Sequence, residues 1–311
     1  MGPEAQANGL QHLPGALILL KIFQDIYWPF IAGAVVLLAG LAAARSDVLR
    51  ARGLEKIVAL GAVLYAAPMA AFGAQHFTFA RFVVQMIPAY MPGKWFWTYF
   101  VGVALLAAAI SIALKRYVPF SGPLLSFMIF LFVILLHVPR VAANPHDRIS
   151  WVVLVRDLAF SCGALALATT YAETWKNGTR NLLATVARVI ISVSLLLFGV
   201  EQFIYPAGLP GVPLEKETPL WIPGHAVWPY LTGIVFVLGG ACLLLNRKTR
   251  LAATVAGAMV LVLVIFVYLP YMVSTFPDIA TGLNYFADTL AFCGTLLVLA
   301  DAMPKEERAH V

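Results

Sequence analysis

One stretch of this chain occurs twice, and the repetition limits the folds that the chain can adopt. Three pairs of segments match: FGAQHF (72–77) with FGVEQF (198–203), MPGKWFWTYF (91–100) with IPGHAVWPY (222–230), and RDLAFSCG (156–163) with ADTLAFCG (287–294). An offset of 131 residues relates Trp97 to Trp228, and it recurs between the two members of the third pair. A fixed offset over such a distance indicates an internal duplication.

The composition is that of a membrane protein. Hydrophobic residues make up 61% of the 311 residues and charged residues 12%, with a mean hydropathy of +0.87. A soluble domain is about half apolar and a quarter charged. The net charge of +6 does not indicate a nucleic-acid partner, because the basic residues lie between the apolar runs. The expected surroundings are a lipid bilayer.

Repeated apolar runs predict the transmembrane helices, because a helix needs about 20 residues to cross the hydrocarbon core. The predicted spans are residues 27–44, 57–74, 97–114, 121–138, 151–171, 183–203, 228–245, 251–269 and 285–302. The predicted fold is therefore all-α and polytopic, with about nine transmembrane helices arranged as one N-terminal helix plus two repeated four-helix bundles. The N-terminal segment is 1–56, the first repeat 57–175 and the second repeat 183–303.

Two further expectations concern the ends of the chain. Residues 14–24 are apolar but too short to span, so they are interpreted as an interfacial helix or a loose extension, with an extra half-span as the alternative, and whether they form a separate helix stays open. Lys and Arg residues between the spans number 13 on one side and six on the other. Because cytoplasmic loops carry the excess of Lys and Arg, the N-terminus and both Pro-Gly loops are expected outside and the C-terminus in the cytoplasm.

Polar side chains within or beside the spans mark the candidate site, because an ionisable residue at membrane depth is costly. They converge at one height near the expected outer face. The candidate ligand-binding residues are His76, His137, Asp157, Glu201, Tyr268 and Asp288. Each aspartate is expected to point into its own bundle. Arg156, Arg140 and His76 are candidate partners of Asp157, whereas Asp288 has no comparable cation near it in sequence.

Several chemistries can be compared at these positions. Cys162, Cys242 and Cys293 are isolated and read as small core residues rather than a thiol relay. His76 and His137 could hold a haem if they faced each other, but no motif supports it, and no carboxylate–histidine spacing indicates a metal. A quinone or other amphipathic ligand fits better, since it needs an apolar slot with one or two polar groups. The structural alternative is a set of interhelical hydrogen bonds. No catalytic residue can be assigned.

Four short motifs resemble the DoxX family of bacterial membrane proteins. They are the F-G-x-x-[HQ]-F end of each repeat's first helix, IPAYMPG with LHVPR (87–93 and 136–140), and RDLAFSCGALALA (156–168). The likeness covers residues 57–170 and 188–302. The second copy departs from the pattern, because Ala287 replaces the basic residue and Gln202 replaces the histidine. The chain thus resembles a tandem duplication of a unit that is usually a single four-helix bundle.

The resemblance implies a function rather than a catalytic residue set. The founding member is the small membrane subunit of a terminal quinol oxidase, also described with thiosulfate:quinone oxidoreductase. The expectation is an accessory or anchor subunit of a quinone-linked respiratory assembly in a bacterial plasma membrane, with membrane or periplasmic redox subunits as partners, and not a stand-alone enzyme. The alternatives are a non-catalytic scaffold or assembly factor and a small-molecule transporter.

Overall fold

The computed structural model describes residues 15–305, with side chains from residue 26 onward. The fold is all-helical, as the sequence predicts. The main helices are α1 (Gly15–Arg50), α2 (Glu55–Thr78), α3 (Lys94–Ala113), α4 (Val118–Ala143), α5 (Arg148–Tyr171), α6 (Asn177–Ile204), α7 (Trp228–Leu244), α8 (Thr249–Thr275) and α9 (Ile279–Ala302). A short helix, Ala80–Met86, follows α2.

Eight of these helices, in the part of the chain that the structure describes, are long and apolar enough to cross a membrane. The remaining one, α7, is also apolar but shorter. The sequence left open whether residues 14–24 form a separate helix, and in the structure they do not from residue 15 onward. No break separates this run from the first span, so α1 is continuous from Gly15 and contains Pro29. Residues 1–14 lie outside the described part.

The two repeats interlock. Helix α2 packs against α1, α3 and α9, while α5 packs against α4, α6 and α9. The first helix of each repeat therefore packs on the last helix of the other, and α5 and α9 contact each other between them. This reciprocal exchange is the pattern that a pseudo-twofold axis along the helices produces. At Gly294 the backbones of α9 and α2 approach so closely that a Cβ would lie 2.3 Å from Tyr65 N.

Matching irregularities interrupt α4 and α8. Each helix contains a π-helical segment, Val133–His137 in α4 and Val264–Tyr268 in α8, at equivalent repeat positions. A proline follows two residues later in both helices, and proline has no N–H to donate to the carbonyl four residues before it. Isolated π-helical turns are frequent at functional sites. Here they set the position of His137 and of Tyr268, the last residue of each segment.

The loops that carry the repeated Pro-Gly motif lie at one end of the molecule, which we call the signature end. They comprise residues 79–93 after α2 and residues 205–227 after α6. The starts of α5 and α9 lie at this end as well, because Arg148 reaches Glu201 and Asn284 reaches Gln75. The candidate residues predicted from the sequence are found in this half of the molecule.

Candidate functional site

Four ionisable side chains form a continuous network within the helices, which we call the ion cluster. His137 Nε2 lies 2.8 Å from Asp157 Oδ2, and Arg156 Nε donates to Asp157 Oδ1 at 2.8 Å. Arg156 Nη1 donates to Asp288 Oδ2 at 2.6 Å. The network therefore joins α4 and α5 of the first repeat to α9 of the second.

The expectation that each aspartate points into its own bundle is wrong for Asp288, which bonds to Arg156 of the first repeat, whereas Asp157 bonds to His137 and Arg156 of its own repeat. Arg156 lies between Asp157 and Asp288 and bonds to both, so the single arginine serves both repeats. Sequence reasoning treated Asp288 as lacking a strong cation because Ala287 stands where the first copy has Arg156. The close packing of α5 on α9 supplies the missing partner from the other repeat.

The ion cluster lies well inside the helices. Asp157 is roughly 13 Å from the start of α5 at a rise of about 1.5 Å per residue. The side chains are largely shielded, with exposed fractions of 16% for His137, 13% for Asp157, 15% for Arg156 and 8% for Asp288. Burying charges at this depth is costly unless they are paired, and the network pairs each of them.

His137 offers a ring nitrogen to which a ligand could bond. Its Nε2 is held by Asp157, whereas its Nδ1 has no hydrogen-bond partner among residues 26–305, the part of the chain whose side chains the structure describes. Nδ1 is nevertheless absent from the fully buried, unbonded polar atoms of that part of the chain, so it retains accessible surface. A carboxylate on one ring nitrogen fixes the orientation and tautomer of a histidine and leaves the other nitrogen available.

The ion cluster has a net charge of −1 when His137 is neutral and both aspartates are ionised. Arg156 carries one positive charge and the two aspartates carry two negative charges when ionised, which gives a net charge of −1 with neutral His137. Protonation of His137 would bring the cluster to neutrality. When Asp157 accepts from Nε2–H, the neutral ring presents Nδ1 as an acceptor, and the protonated ring presents it as a donor. The position can therefore bond to either a hydroxyl or a carbonyl group of a ligand.

The equivalent position in the second repeat is closed. Residues 209–214 of the loop after α6, which we call the plug, are buried throughout, with Leu209 at 0% and Val212 at 1% exposure. Tyr268, the counterpart of His137, donates its hydroxyl to Pro210 O at 2.8 Å and is 1% exposed. Gly211 has φ +107°, which favours glycine, and a Cβ there would lie 3.3 Å from Leu263 Cδ1.

Arg148 holds the plug in place. This residue opens α5 in the first repeat, yet it donates to Pro213 O at 2.9 Å and to Leu214 O at 3.2 Å. The same guanidinium forms an ion pair with Glu201 at 2.9 Å and lies 4.5 Å from the centre of the Tyr205 ring. The loop also folds back on itself through an antiparallel bridge between Gly208 and Glu217. Glu201 and Tyr268 thus both support the plug.

The remaining predicted residue, His76, has a local partner. Its Nδ1 lies 2.8 Å from Phe72 O in its own helix, and its Cβ packs against Gly102 of α3. His137 instead turns toward α5, where it meets Asp157. The structure therefore brings His137, Asp157 and Asp288 together, with Arg156 between them, and gives His76, Glu201 and Tyr268 separate partners. In the described residues no group of three His, Cys, Asp or Glu side chains could hold a metal ion.

A polar cavity at the opposite end was not predicted from the sequence. It has a volume of about 280 Å³, and its walls include Asp47, Glu55, Lys115, Arg250 and Asp301. These groups pair with one another: Lys115 with Asp47, and Arg250 with Glu55 and Asp301. Burial lowers the pKa of Lys115, but the Asp47 carboxylate more than offsets it, so this pKa is raised overall. Each charged group lies near a helix end. From the sequence alone, a charged residue there is interpreted as an exposed loop residue, so the pairing could not be predicted.

Comparisons of the chain with family models, with curated proteins and with solved structures found no match.

Proposed function

We propose that this protein is a membrane-embedded accessory or anchor subunit of a bacterial quinone-linked redox assembly, and that it binds a quinone at His137. One observation carries the proposal: a histidine oriented by Asp157 within the membrane-spanning helices keeps its other ring nitrogen accessible, with no bond to any side chain or backbone group of residues 26–305. The DoxX resemblance of both repeats agrees with this assignment. Membrane or periplasmic redox subunits are the proposed partners, because the ion cluster can exchange a proton but contains no electron carrier.

The chemistry of the position suits both redox forms of the ligand. A quinol hydroxyl would donate to Nδ1 of neutral His137, and a quinone carbonyl would accept from Nδ1–H of the protonated ring. In both cases Asp157 accepts from Nε2–H and keeps the ring oriented toward the ligand. Oxidation of the quinol would release two electrons, which pass to the redox centre of the partner subunit, and two protons, one to His137 and one to water at the signature end. This chain would therefore supply binding and one proton acceptor.

The test is binding of a short-chain quinone to the purified protein in mild detergent. We expect the quinone to raise the melting temperature of the wild type by several degrees and His137→Phe to abolish this rise. Loss of the bond to Asp157 lowers the ligand-free melting temperature of His137→Phe, so the shift is measured within each variant. The matched control is His146→Gln, an exposed loop histidine that should keep the full shift. Identical melting of the wild type with and without quinone would refute the proposal.

A scaffold without ligand is the second candidate, and the ion cluster itself favours it. Every charge in the cluster is paired, and the cluster ties α4, α5 and α9 together across the repeats. Interhelical polar contacts of this kind hold membrane bundles together without further function. An unshifted melting temperature in the quinone experiment would leave this candidate ahead, because it requires the cluster but no ligand.

We further propose that the protein lies in the bacterial plasma membrane with the signature end outside and the C-terminus in the cytoplasm. The support is the excess of Lys and Arg in the loops of the opposite end. Single cysteines at Lys94 and Lys248, in a chain without the three native cysteines, would be treated with an impermeant maleimide in intact cells. Lys94→Cys should react and Lys248→Cys should not; the reverse pattern would contradict this orientation.

A further inference from the structure

We infer that the first repeat contains a ligand groove at the position that the second repeat fills with its own plug. The groove runs along the signature-end halves of α4 and α5 and has His137 at its inner end. The inference rests on the proposed function, because it specifies where the quinone lies and which residues contact it. The groove also has support that does not depend on the proposed function. In the second repeat the equivalent surface is occupied by the plug, and the plug shows what kind of group binds there.

The plug defines a surface built from α8 and α9. A Cβ placed on Gly211 would lie 3.3 Å from Leu263 Cδ1, 3.7 Å from Thr289 Cγ2 and 4.0 Å from the Tyr268 hydroxyl. These three residues are 0%, 1% and 1% exposed respectively. They surround the tip of the plug and are sealed by it.

The same surface of the first repeat is uncovered. The offset of 131 residues maps Leu263, Tyr268 and Thr289 onto Phe132, His137 and Leu158. Each of these three is partly exposed, whereas its counterpart is buried. The difference extends outward along both helices: Arg140 is exposed where Tyr271 is buried, and Leu154 is partly exposed where Tyr285 is buried.

The first repeat's own loop does not take the place of the plug. After α2 the chain forms the short helix Ala80–Met86, and its two largest apolar side chains are exposed, Phe82 at 64% and Met86 at 58%. Tyr90 is 63% exposed and donates to Leu135 O on α4. The loop thus lies beside α4 with its large apolar side chains exposed, which leaves Phe132, His137 and Leu158 partly exposed.

The plug indicates the chemical class of the ligand. It presents a narrow apolar body, Leu-Pro-Gly-Val-Pro, and one carbonyl oxygen that accepts from Tyr268 at 2.8 Å. The equivalent ligand in the first repeat is an apolar molecule with an oxygen at the same place, which meets His137 Nδ1. A quinone satisfies this description: a ring oxygen lies at His137, and the ring and first part of its tail lie against Phe132 and Leu158.

The experiment narrows the groove with a bulkier side chain and measures the dissociation constant of a short-chain quinone for each variant. Phe132→Trp adds bulk within the groove, and Phe130→Trp makes the same change two residues away on the exposed face of α4, where Phe130 is 42% exposed. We expect Phe132→Trp to weaken binding at least tenfold and Phe130→Trp to change it less than twofold. If Phe132→Trp fails to fold, Leu158→Phe provides the same obstruction from α5.

The outcomes separate this inference from the proposed function. Wild-type binding that is lost with His137→Phe but unchanged by Phe132→Trp and Leu158→Phe would overturn the groove and leave the quinone function standing. No wild-type binding would overturn both. A photoreactive short-chain quinone gives a direct check: crosslinks on α4 and α5 near Phe132 and Leu158 are expected, and crosslinks confined to the second repeat would contradict the groove.

Discussion

The two repeats place the same helical irregularity at the signature end but differ in what surrounds it. In the first repeat, the π-helical segment ends at His137, which is partly exposed and bonded to Asp157. In the second, it ends at Tyr268, which is buried and bonded to the plug. One repeat has a reachable ionisable group, and the other has a sealed hydroxyl. The two repeats therefore share the helical geometry and differ in what the last residue of the π-helical segment contacts.

The difference also explains why the repeats interlock. The ion cluster takes its histidine, its arginine and one aspartate from the first repeat, and its second aspartate from α9. In the other direction, Arg148 of the first repeat holds the plug of the second. Each repeat therefore supplies a part that the other lacks. A single four-helix unit with either sequence would leave buried charged or polar groups without partners, which is costly.

The largest expected effect follows from removing the shared arginine. Arg156→Met leaves Asp157 and Asp288 buried without their cation, and breaking a buried ion pair costs about 3–5 kcal/mol. We expect a large fall in the melting temperature in detergent. Adding Asp157→Asn and Asp288→Asn to the same chain should restore much of the loss, because no unpaired charge remains. The control Arg140→Met changes an exposed arginine and should melt near the wild type.

If Arg156→Met and Arg140→Met melted alike, the ion cluster would not contribute to stability and the interlocking of the repeats would rest on apolar packing alone.

The next prediction compares the two signature-end loops directly. Leu209→Ala removes a fully buried side chain from the plug, and such truncations cost about 2–5 kcal/mol. Phe82→Ala removes a larger side chain from the exposed loop of the first repeat, and surface changes of this kind stay within about 0.5 kcal/mol. Thermal melting in detergent of the two variants is the measurement. A greater loss for Phe82→Ala would mean that the first loop is the one that packs on the helices.

The sequence predicted the helices well because apolar runs of about 20 residues have few alternatives in a membrane protein. It also identified Asp157 and Asp288 as equivalent, since the offset of 131 residues relates them. It missed the role of Arg156 because repeats were assumed to satisfy their own polar groups. Which helix packs on which is decided by small residues such as Gly294, whose close contact with Tyr65 the hydrophobic pattern does not encode.

The plug could not be predicted for a different reason. Its residues 209–214 read as an ordinary Pro- and Gly-containing loop, and composition alone places such a segment on the surface. Its burial depends on Arg148, which is distant in sequence, and on the hydroxyl of Tyr268. One sequence feature did indicate a difference between the loops. The loop after α6 is longer than the loop after α2, and two copies with the same structure would not need the extra residues.

The smallest expected effect concerns two tyrosine hydroxyls that each join a signature-end loop to a helix. Tyr268 on α8 bonds to the plug, and Tyr90 in the first loop bonds to α4. Tyr268→Phe removes the donor to Pro210 O, and a buried carbonyl left unsatisfied costs about 1–3 kcal/mol. Tyr90→Phe removes the donor to Leu135 O, a carbonyl that Pro139 cannot serve because proline has no N–H. Tyr90 is 63% exposed, so water or a lipid headgroup can replace its hydroxyl, and the expected loss is below about 0.5 kcal/mol.

Thermal melting in detergent measures both losses, and Tyr99→Phe, an exposed tyrosine on α3, is the control for the substitution itself. A clear loss for Tyr268→Phe with little for Tyr90→Phe is expected if the second repeat is sealed by its loop and the first is open. Equal losses would mean that Leu135 O is as shielded as Pro210 O. The first loop would then cover α4 as the plug covers α8, and the difference in closure between the two repeats would disappear.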